Sequence, residues 1–267
     1  MPFPLDAQRL EEALVAQGPY ARVKVVEEVD STNAELLRRA AKAKSARLTA
    51  LLAEHQSAGR GRWHHPEVRP RPWIAPPRSS LIASVLVQPP SQQAGRRTML
   101  GLVWALAAVE ALDLVLPGVA GLKWPNDVMA AGRKLAGVLA SSSEDGCVAI
   151  GIGLNVHQSE EQLPDRRAGS LALAGAPDVD RTWLAIAVLS AAATWYERWA
   201  RDASSVVGAV SARMITLGRQ VEVELPNGQI ASGRAEAIQD DGALRLRQPS
   251  GRTWLVDTGE LVQEHGE

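Results

Sequence analysis

After about Leu217 the sequence changes texture, and that change divides what the chain can fold into. The stretch "RQVEVELPNGQIASGRAEAIQDDGALRLRQPSGRTWLVDTGELV" carries no pattern long enough for a helix. Short alternating segments are separated by "NG", "DDG" and "SG", the residues that two-residue hairpin turns demand. Four or five short strands in about 50 residues predict a small SH3-like β-barrel. Ahead of it, strand-length and helix-length patterns alternate. A lead helix is expected in "LDAQRLEEALVAQ" and a strand in "ARVKVVEEV"; a helix follows in "STNAELLRRAAKA", with Thr32 and Glu35 spaced as a capping box. Strands follow in "RLTALLAE", "SLIASVLVQ", "GLKW", "VMAA", "RKLAGVLAS" and "CVAIGIGLNV". Helices are expected over Gln92–Leu114, Arg181–Ala200 and Ser204–Met214, with Trp183, Trp195 and Trp199 as core. The prediction is an α/β (α+β) chain: a mixed-sheet domain over 1–216 and a small β domain over 217–267.

Charge and cysteine content narrow the class. The formal net charge is −1 with 22% charged residues, which argues against a dedicated nucleic-acid or membrane-surface protein. Cys147 is the single cysteine, so no internal disulfide can form, and an inert core thiol is its default. The N-terminus has no basic start followed by an apolar stretch. The most apolar run, Met99–Val109, is about 11 residues, too short to cross a bilayer. A reducing cytoplasm is the expected setting.

Four short motifs could carry chemistry. "GRGR" at 59–62 opens a basic, proline-rich loop that ends near Trp73; arginine forks pair with phosphate or carboxylate, and Gly59 and Gly61 admit close approach. A solvated linker or a nucleic-acid contact would look the same. "KWPND" at 123–127 puts Lys123 just before a turn, with Asn126 and Asp127 offering oxygens to magnesium; an ordinary Pro-Asn-Asp turn also accounts for it. "GRKLAGVLAS" places Lys134 at the start of an apolar strand over Gly137, either reaching solvent or facing a pocket mouth. "GIGLN" at 151–155 lacks the third glycine of a dinucleotide fingerprint. Gly151 and Gly153 instead suit close strand packing or a flat ligand lying on the strand. There is no G-x-x-x-x-G-K-[ST] loop and no H-E-x-x-H, and His55, His64, His65, His157 and His265 do not fall at zinc spacing.

Taken in order, "STN" at 31–33, "AEHQSAGRGR" at 53–62, "KWPND", "GRKLAGVL" at 132–139, "IGIGLNV" at 150–156 and the β tail resemble the biotin protein ligase family. The likeness covers about residues 22–260. It implies a two-step reaction: biotin and ATP give biotinyl-5′-AMP and pyrophosphate, and a lysine of a biotin carboxyl carrier protein then takes the biotinyl group. It also implies the site. Ser31, Thr32, Asn33 and Gln56 line the polar end of the biotin pocket, with Gly137 and Gly151 beneath. Gly59, Arg60, Gly61 and Arg62 form a closing loop over biotin and phosphate. Lys123 faces the phosphates and Lys134 the biotin carboxylate, while Trp73 covers the adenine and Asn126 and Asn155 help bind the nucleotide. Asp127 orients the carrier's amine and is the candidate magnesium ligand. ATP and Mg2+ are the implied cofactors, and a homodimer is left open.

Two departures stand out. The family usually follows GRGR within a few residues by R-x-W and Ser-Pro. Here "WHHPEVRP" intervenes before Arg71-Pro72-Trp73, and Ala75-Pro76 replaces Ser-Pro, so Trp63 competes with Trp73. Only about 20 residues precede the first strand, which leaves no room for the DNA-binding domain of the family's repressor subgroup. A ligase without specific DNA binding is therefore expected. The nearest rival is a lipoate ligase or octanoyl transferase of the same fold; a non-catalytic nucleic-acid binder is the rival from another class.

Overall fold

The structure is a computed structural model, and it describes residues 3–42, 48–62 and 72–265. Its centre is a seven-stranded sheet in the order β1-β2-β3-β7-β6-β5-β4. The strands are β1 (Arg22–Val29), β2 (Thr49–Gln56), β3 (Ser80–Val87), β4 (Ala120–Lys123), β5 (Asp127–Ala130), β6 (Arg133–Ser142) and β7 (Val148–Asn155). The β1–β2 pair is parallel and the other ladders are antiparallel, so the sheet is mixed, as expected. The apolar runs take the middle: every residue of β3 is buried.

The two faces of this sheet are covered differently. Ala50 and Leu52, Val85 and Val87, and Ile150, Ile152 and Leu154 point into one core with α3 (Met99–Asp113) and α4 (Arg181–Arg201). Helix α3 is buried from Met99 through Val109, because it lies between the sheet and α4. On the opposite face, Leu51, Leu86 and Ala149 meet Leu36 and Ala40 of α2 (Thr32–Lys42) in a smaller cluster that includes Cys147. Helix α2 covers only part of that face, and the sheet next to it stays open to a site.

The tail forms a five-stranded antiparallel sheet of the small SH3-like kind, in the order β11-β10-β9-β8-β12. Its strands are β8 (Gln220–Glu224), β9 (Ile230–Ile238), β10 (Leu244–Arg247), β11 (Thr253–Val256) and β12 (Glu260–His265). Its apolar side chains, Val221, Val223, Leu244 and Leu246 among them, belong to the main hydrophobic core.

Several helix expectations change in detail. The helix expected over Gln92–Leu114 is a 3-10 turn, Ser91–Arg96, followed by α3. The Asp240–Gly242 turn of the second sheet presses on the junction: Arg96 Nε donates to Asp240 at 2.8 Å, and Gly242 lies so close to Met99 that a Cβ there would approach its backbone nitrogen to 3.0 Å. The lead helix is α1 (Ala7–Glu11), capped by Asp6 and continued as a π turn over Glu12–Ala16. The last helix is a 3-10 turn, Ala203–Val206, running into α5 (Val207–Arg213). The capping box at Thr32 does not form. Ser31 takes the cap, its carbonyl accepting from Glu35 N at 2.9 Å, while the Glu35 side chain pairs with Arg38 and Arg39. Thr32 is drawn elsewhere, to Gln56 and Ser84.

A buried ion pair ties the layers together. Arg181, which opens α4, lies 2.8 Å from Glu54 of β2, both side chains being 2% exposed. Arg181 also donates to the carbonyls of Ser80 and Phe3, and Glu54 accepts from Leu5 N. Removing one charge strands the other in a low-dielectric interior. Glu54→Gln is expected to cost about 3–5 kcal/mol and to lower the thermal unfolding midpoint by roughly 6–20 °C, read by calorimetry.

Candidate active site

The open part of the sheet is floored by glycine. Strand register sets Ile82, Gly153 and Gly137 side by side in one row, and Ser84, Gly151 and Leu139 in the next. A side chain at Gly151 or Gly153 would have nowhere to go. A Cβ on Gly151 would fall 2.6 Å from Asn33 Oδ1, and one on Gly137 would meet the Lys134 side chain at 3.4 Å. Gly153 is in contact with the Trp73 indole, which a Cβ there would overlap. These rows floor a small cavity of about 60 Å³.

One end of the cavity is polar and uncharged. Gln56 Oε1 accepts from Thr32 N at 2.8 Å and from Thr32 Oγ1 at 2.9 Å. Ser84 Oγ lies 2.6 Å from Thr32 Oγ1 and 2.7 Å from Asn33 Oδ1, and Asn33 Nδ2 donates to the Leu139 carbonyl at 2.9 Å. Ser31 joins this group at the start of α2. Thr32, Asn33 and Ser84 are buried, so their orientations are fixed by one another. Such a set of fixed donors and acceptors suits a planar group carrying both N–H and C=O.

The other end is cationic. Arg60, Gly61, Arg62 and Lys134 line it, with Asn126 and Trp73. Residues 60 and 72 face each other as an antiparallel bridge and Trp73 N donates to the Gly59 carbonyl, so the GRGR loop is pinned at its base. The Arg60 side chain is exposed at the rim. Arg62 turns toward the second sheet, donating to Thr258 Oγ1 at 2.7 Å and to the Gly259 carbonyl at 3.2 Å, with its guanidinium 6.0 Å from the centre of the Trp124 ring. Burial pushes the Arg62 guanidinium below its ordinary value, and the fields of Asp127, Asp257 and Glu260 oppose that shift. Lys134 Nζ sits 2.6 Å from Asp127 Oδ1.

The structure thus brings together Ser31, Thr32, Asn33, Gln56, Arg60, Gly61, Arg62, Trp73, Asn126, Lys134, Gly137 and Gly151 in one lining. It sets four expected residues apart. Gly59 is buried under the Trp73 backbone. Asp127 reaches the cavity through its pairing with Lys134. Lys123, preceding a cis Trp124–Pro125 peptide, points to Glu264 of β12. Asn155 is buried, its Nδ2 on the Gly169 carbonyl and its Oδ1 on Gln158, so its amide holds the loop after β7. Trp73 lies on the glycine floor, and Trp63, its competitor, lies outside the described residues, with His64, His65 and Arg71. Ser84 was missed, although a hydroxyl in the middle of the apolar strand "SLIASVLV" was a readable signal. Glu264 gave none, being 141 residues from its partner.

Among the described residues no group of three or more His, Cys, Asp or Glu could hold a metal. Asn126 Nδ2 donates to the Val138 carbonyl at 2.6 Å, which turns Oδ1 away from that bond. With Asp127 as the nearest carboxylate, the donor set fits a magnesium ion arriving on phosphates better than one held by the protein alone.

Residues 25–156 match the Biotin/lipoate A/B protein ligase family, and residues 216–265 match the Biotin protein ligase C terminal domain. A curated biotin–[acetyl-CoA-carboxylase] ligase of Mycobacterium tuberculosis is 38% identical over 97% of this chain and 96% of its own length. The chain belongs to the biotin protein ligase family. A second ligase of the same description, from Paracoccus denitrificans, is 35% identical over 84% of this chain and 93% of its own. The fold agrees: biotin protein ligase from Aquifex aeolicus, solved with biotin and ATP, superposes with a TM-score of 0.75 at 26% identity, covering 91% of this chain and 98% of that one. No helix among the described residues is long and apolar enough to cross a membrane.

The network at the polar end makes its own prediction. Ser84→Ala removes the hydroxyl that faces Asn33 Oδ1 and leaves that buried oxygen short of a partner. It is expected to cost about 1–3 kcal/mol, read as a lower denaturation midpoint in urea.

Proposed function

We propose that this chain activates biotin with ATP and transfers the biotinyl group to a lysine on the carrier protein of acetyl-CoA carboxylase. The observation that carries this reading is a cavity that combines an uncharged hydrogen-bonding end, a glycine floor and a cationic mouth. Biotin has the matching parts: a planar urea, an apolar ring and chain, and a carboxylate. The urea meets Ser31, Thr32, Asn33, Gln56 and Ser84, and the carboxylate meets Lys134.

The first step joins two anions. A carboxylate oxygen bonds to the α-phosphorus of ATP, the bond to the β-phosphate oxygen breaks, and its electron pair leaves with pyrophosphate. Charge neutralisation, more than acid–base chemistry, is what such a step needs. Lys134 steadies the attacking carboxylate, and Arg60, Arg62 and Lys123 face the phosphates. Trp73 and Asn155 serve the nucleotide side, Asn155 through the loop it braces. Asp127 and Asn126 would be the residues nearest a magnesium ion arriving on the nucleotide, which would offset phosphate charge there. In the second step the carrier amine bonds to the biotinyl carbon, the anhydride C–O bond breaks and AMP leaves. Asp127, paired with Lys134, would orient the incoming amine and take its proton once substrate draws Lys134 away.

The proposed setting is the cytoplasm, with Cys147 reduced and no specific DNA partner, in keeping with a net charge of −1. The division into a catalytic part over 1–216 and a small domain over 217–267 belongs to the same reading.

The test is mass spectrometry of a carrier domain after incubation with the protein, MgATP and biotin, with lipoate offered in parallel. The carrier is expected to gain one biotinyl group. A carrier left unmodified, or modified by lipoate instead, overturns the reading. Two variants separate roles within the site. Arg60→Ala removes an exposed loop charge, so the fold should stand while biotinyl-5′-AMP escapes roughly ten- to a hundredfold faster, read as labelling of a bystander such as albumin. Lys134→Ala should instead slow pyrophosphate release without bystander labelling.

A further inference from the structure

Lys123 is already engaged by an anion of its own chain. Its Nζ donates to Glu264 Oε2 at 2.5 Å, and the two side chains are 25% and 14% exposed. Glu264 stands on β12, in the second sheet, while Lys123 ends β4 in the first. The backbone after Lys123 is held where the two sheets meet: Trp124 N donates to Thr216 Oγ1 and Trp124 Nε1 to the Gly242 carbonyl, both at 3.1 Å. The turn is therefore fixed, and the freedom that remains belongs to the lysine's flexible stem.

The carboxylate is held less firmly than the turn. Its second oxygen, Oε1, is buried without a hydrogen-bond partner among the described residues. Among the described residues the carboxylate leans on Lys123 alone, while the ammonium's flexible stem lets it turn when a stronger anion arrives. A nucleotide's phosphates carry more negative charge than one carboxylate, so they are such an anion.

We propose that Glu264 is a positioning residue, the resident anion of Lys123, with which the phosphates of MgATP compete for the ammonium. The inference rests on the reading of Lys123 as a phosphate contact. Its consequence is that the second sheet sets nucleotide affinity directly, through one side chain. Removing the charge while keeping the shape frees the lysine and makes the phosphate side of the site more positive by one unit.

The test is Glu264→Gln, with Glu264→Ser as a second variant, in biotin-dependent ATP–pyrophosphate exchange. The KM for MgATP is expected to fall roughly three- to tenfold while the KM for biotin stays within about twofold. A purely structural role would raise both KM values, or lower the unfolding midpoint without lowering the KM for MgATP. In a Lys123→Gln background the effect of Glu264→Gln should vanish, because the two residues act as a pair. An unchanged or raised KM for MgATP in Glu264→Gln overturns the proposal. Lys123→Gln alone distinguishes the two levels. If it raises the KM for MgATP and Glu264→Gln does not lower it, the resident-anion proposal falls by itself. If Lys123→Gln leaves that KM unchanged, the reading of Lys123 falls and takes the proposal with it.

Discussion

Three missing side chains make the site. The middle strands are buried on both faces, which ordinarily leaves no space for a ligand. Gly137, Gly151 and Gly153 fall in adjacent positions of β6 and β7 and on the face that α2 only partly covers. The close approaches to Asn33 and Trp73 show that this room is already in use. Everything else in the cavity is built on that bare surface. The polar network packs over Gly151, and Trp73 lies on Gly153. The strand entropy lost to three glycines is the cost of a floor flat enough for a small planar molecule.

How much of this was legible follows from the range of each interaction. Strand and helix existence came through, because period and length are local properties of "SLIASVLV" or "TWLAIAVLSAAATWYERWA". The departures came from contacts made across long stretches of sequence. The helix expected from Gln92 is interrupted where a turn near residue 241 presses on it. Thr32 leaves its expected capping role because Gln56 and Ser84 offer it better partners. The site divides in the same way. GRGR, GRKLAG and GIG are clusters in sequence and were readable, though each alone fitted an ordinary loop or strand. Ser84 left only a faint local mark, a hydroxyl in the middle of a buried apolar strand, and Glu264, which acts through a residue on another element, left none.

Three cations of the site share a property that sequence cannot show. Lys134 pairs with Asp127, Lys123 with Glu264, and Arg62 with a hydroxyl and a carbonyl of the second sheet. Unpaired charges packed this closely would repel one another and resist burial. Internal partners remove that cost and hold each side chain near its working position. They also introduce a threshold, since a ligand must offer more than the partner it displaces. A single carboxylate or a neutral molecule exchanges one weak contact for another. A molecule with several phosphates gains at several cations together.

The same reasoning explains why the second sheet is not an accessory. It supplies Thr258 and Gly259 to Arg62, Glu264 to Lys123 and the Gly242 carbonyl to Trp124, and its apolar side chains continue the main core. Two segments beside the site, the GRGR loop and the turn after β4, are thus braced by β12, the turn leading into it and the β9–β10 turn. On the proposed reading of Lys123, a phosphate that drew it from Glu264 would change the charge beside the segment that anchors Arg62. Nucleotide binding and loop position would then be linked through the second sheet by contacts only one or two residues deep.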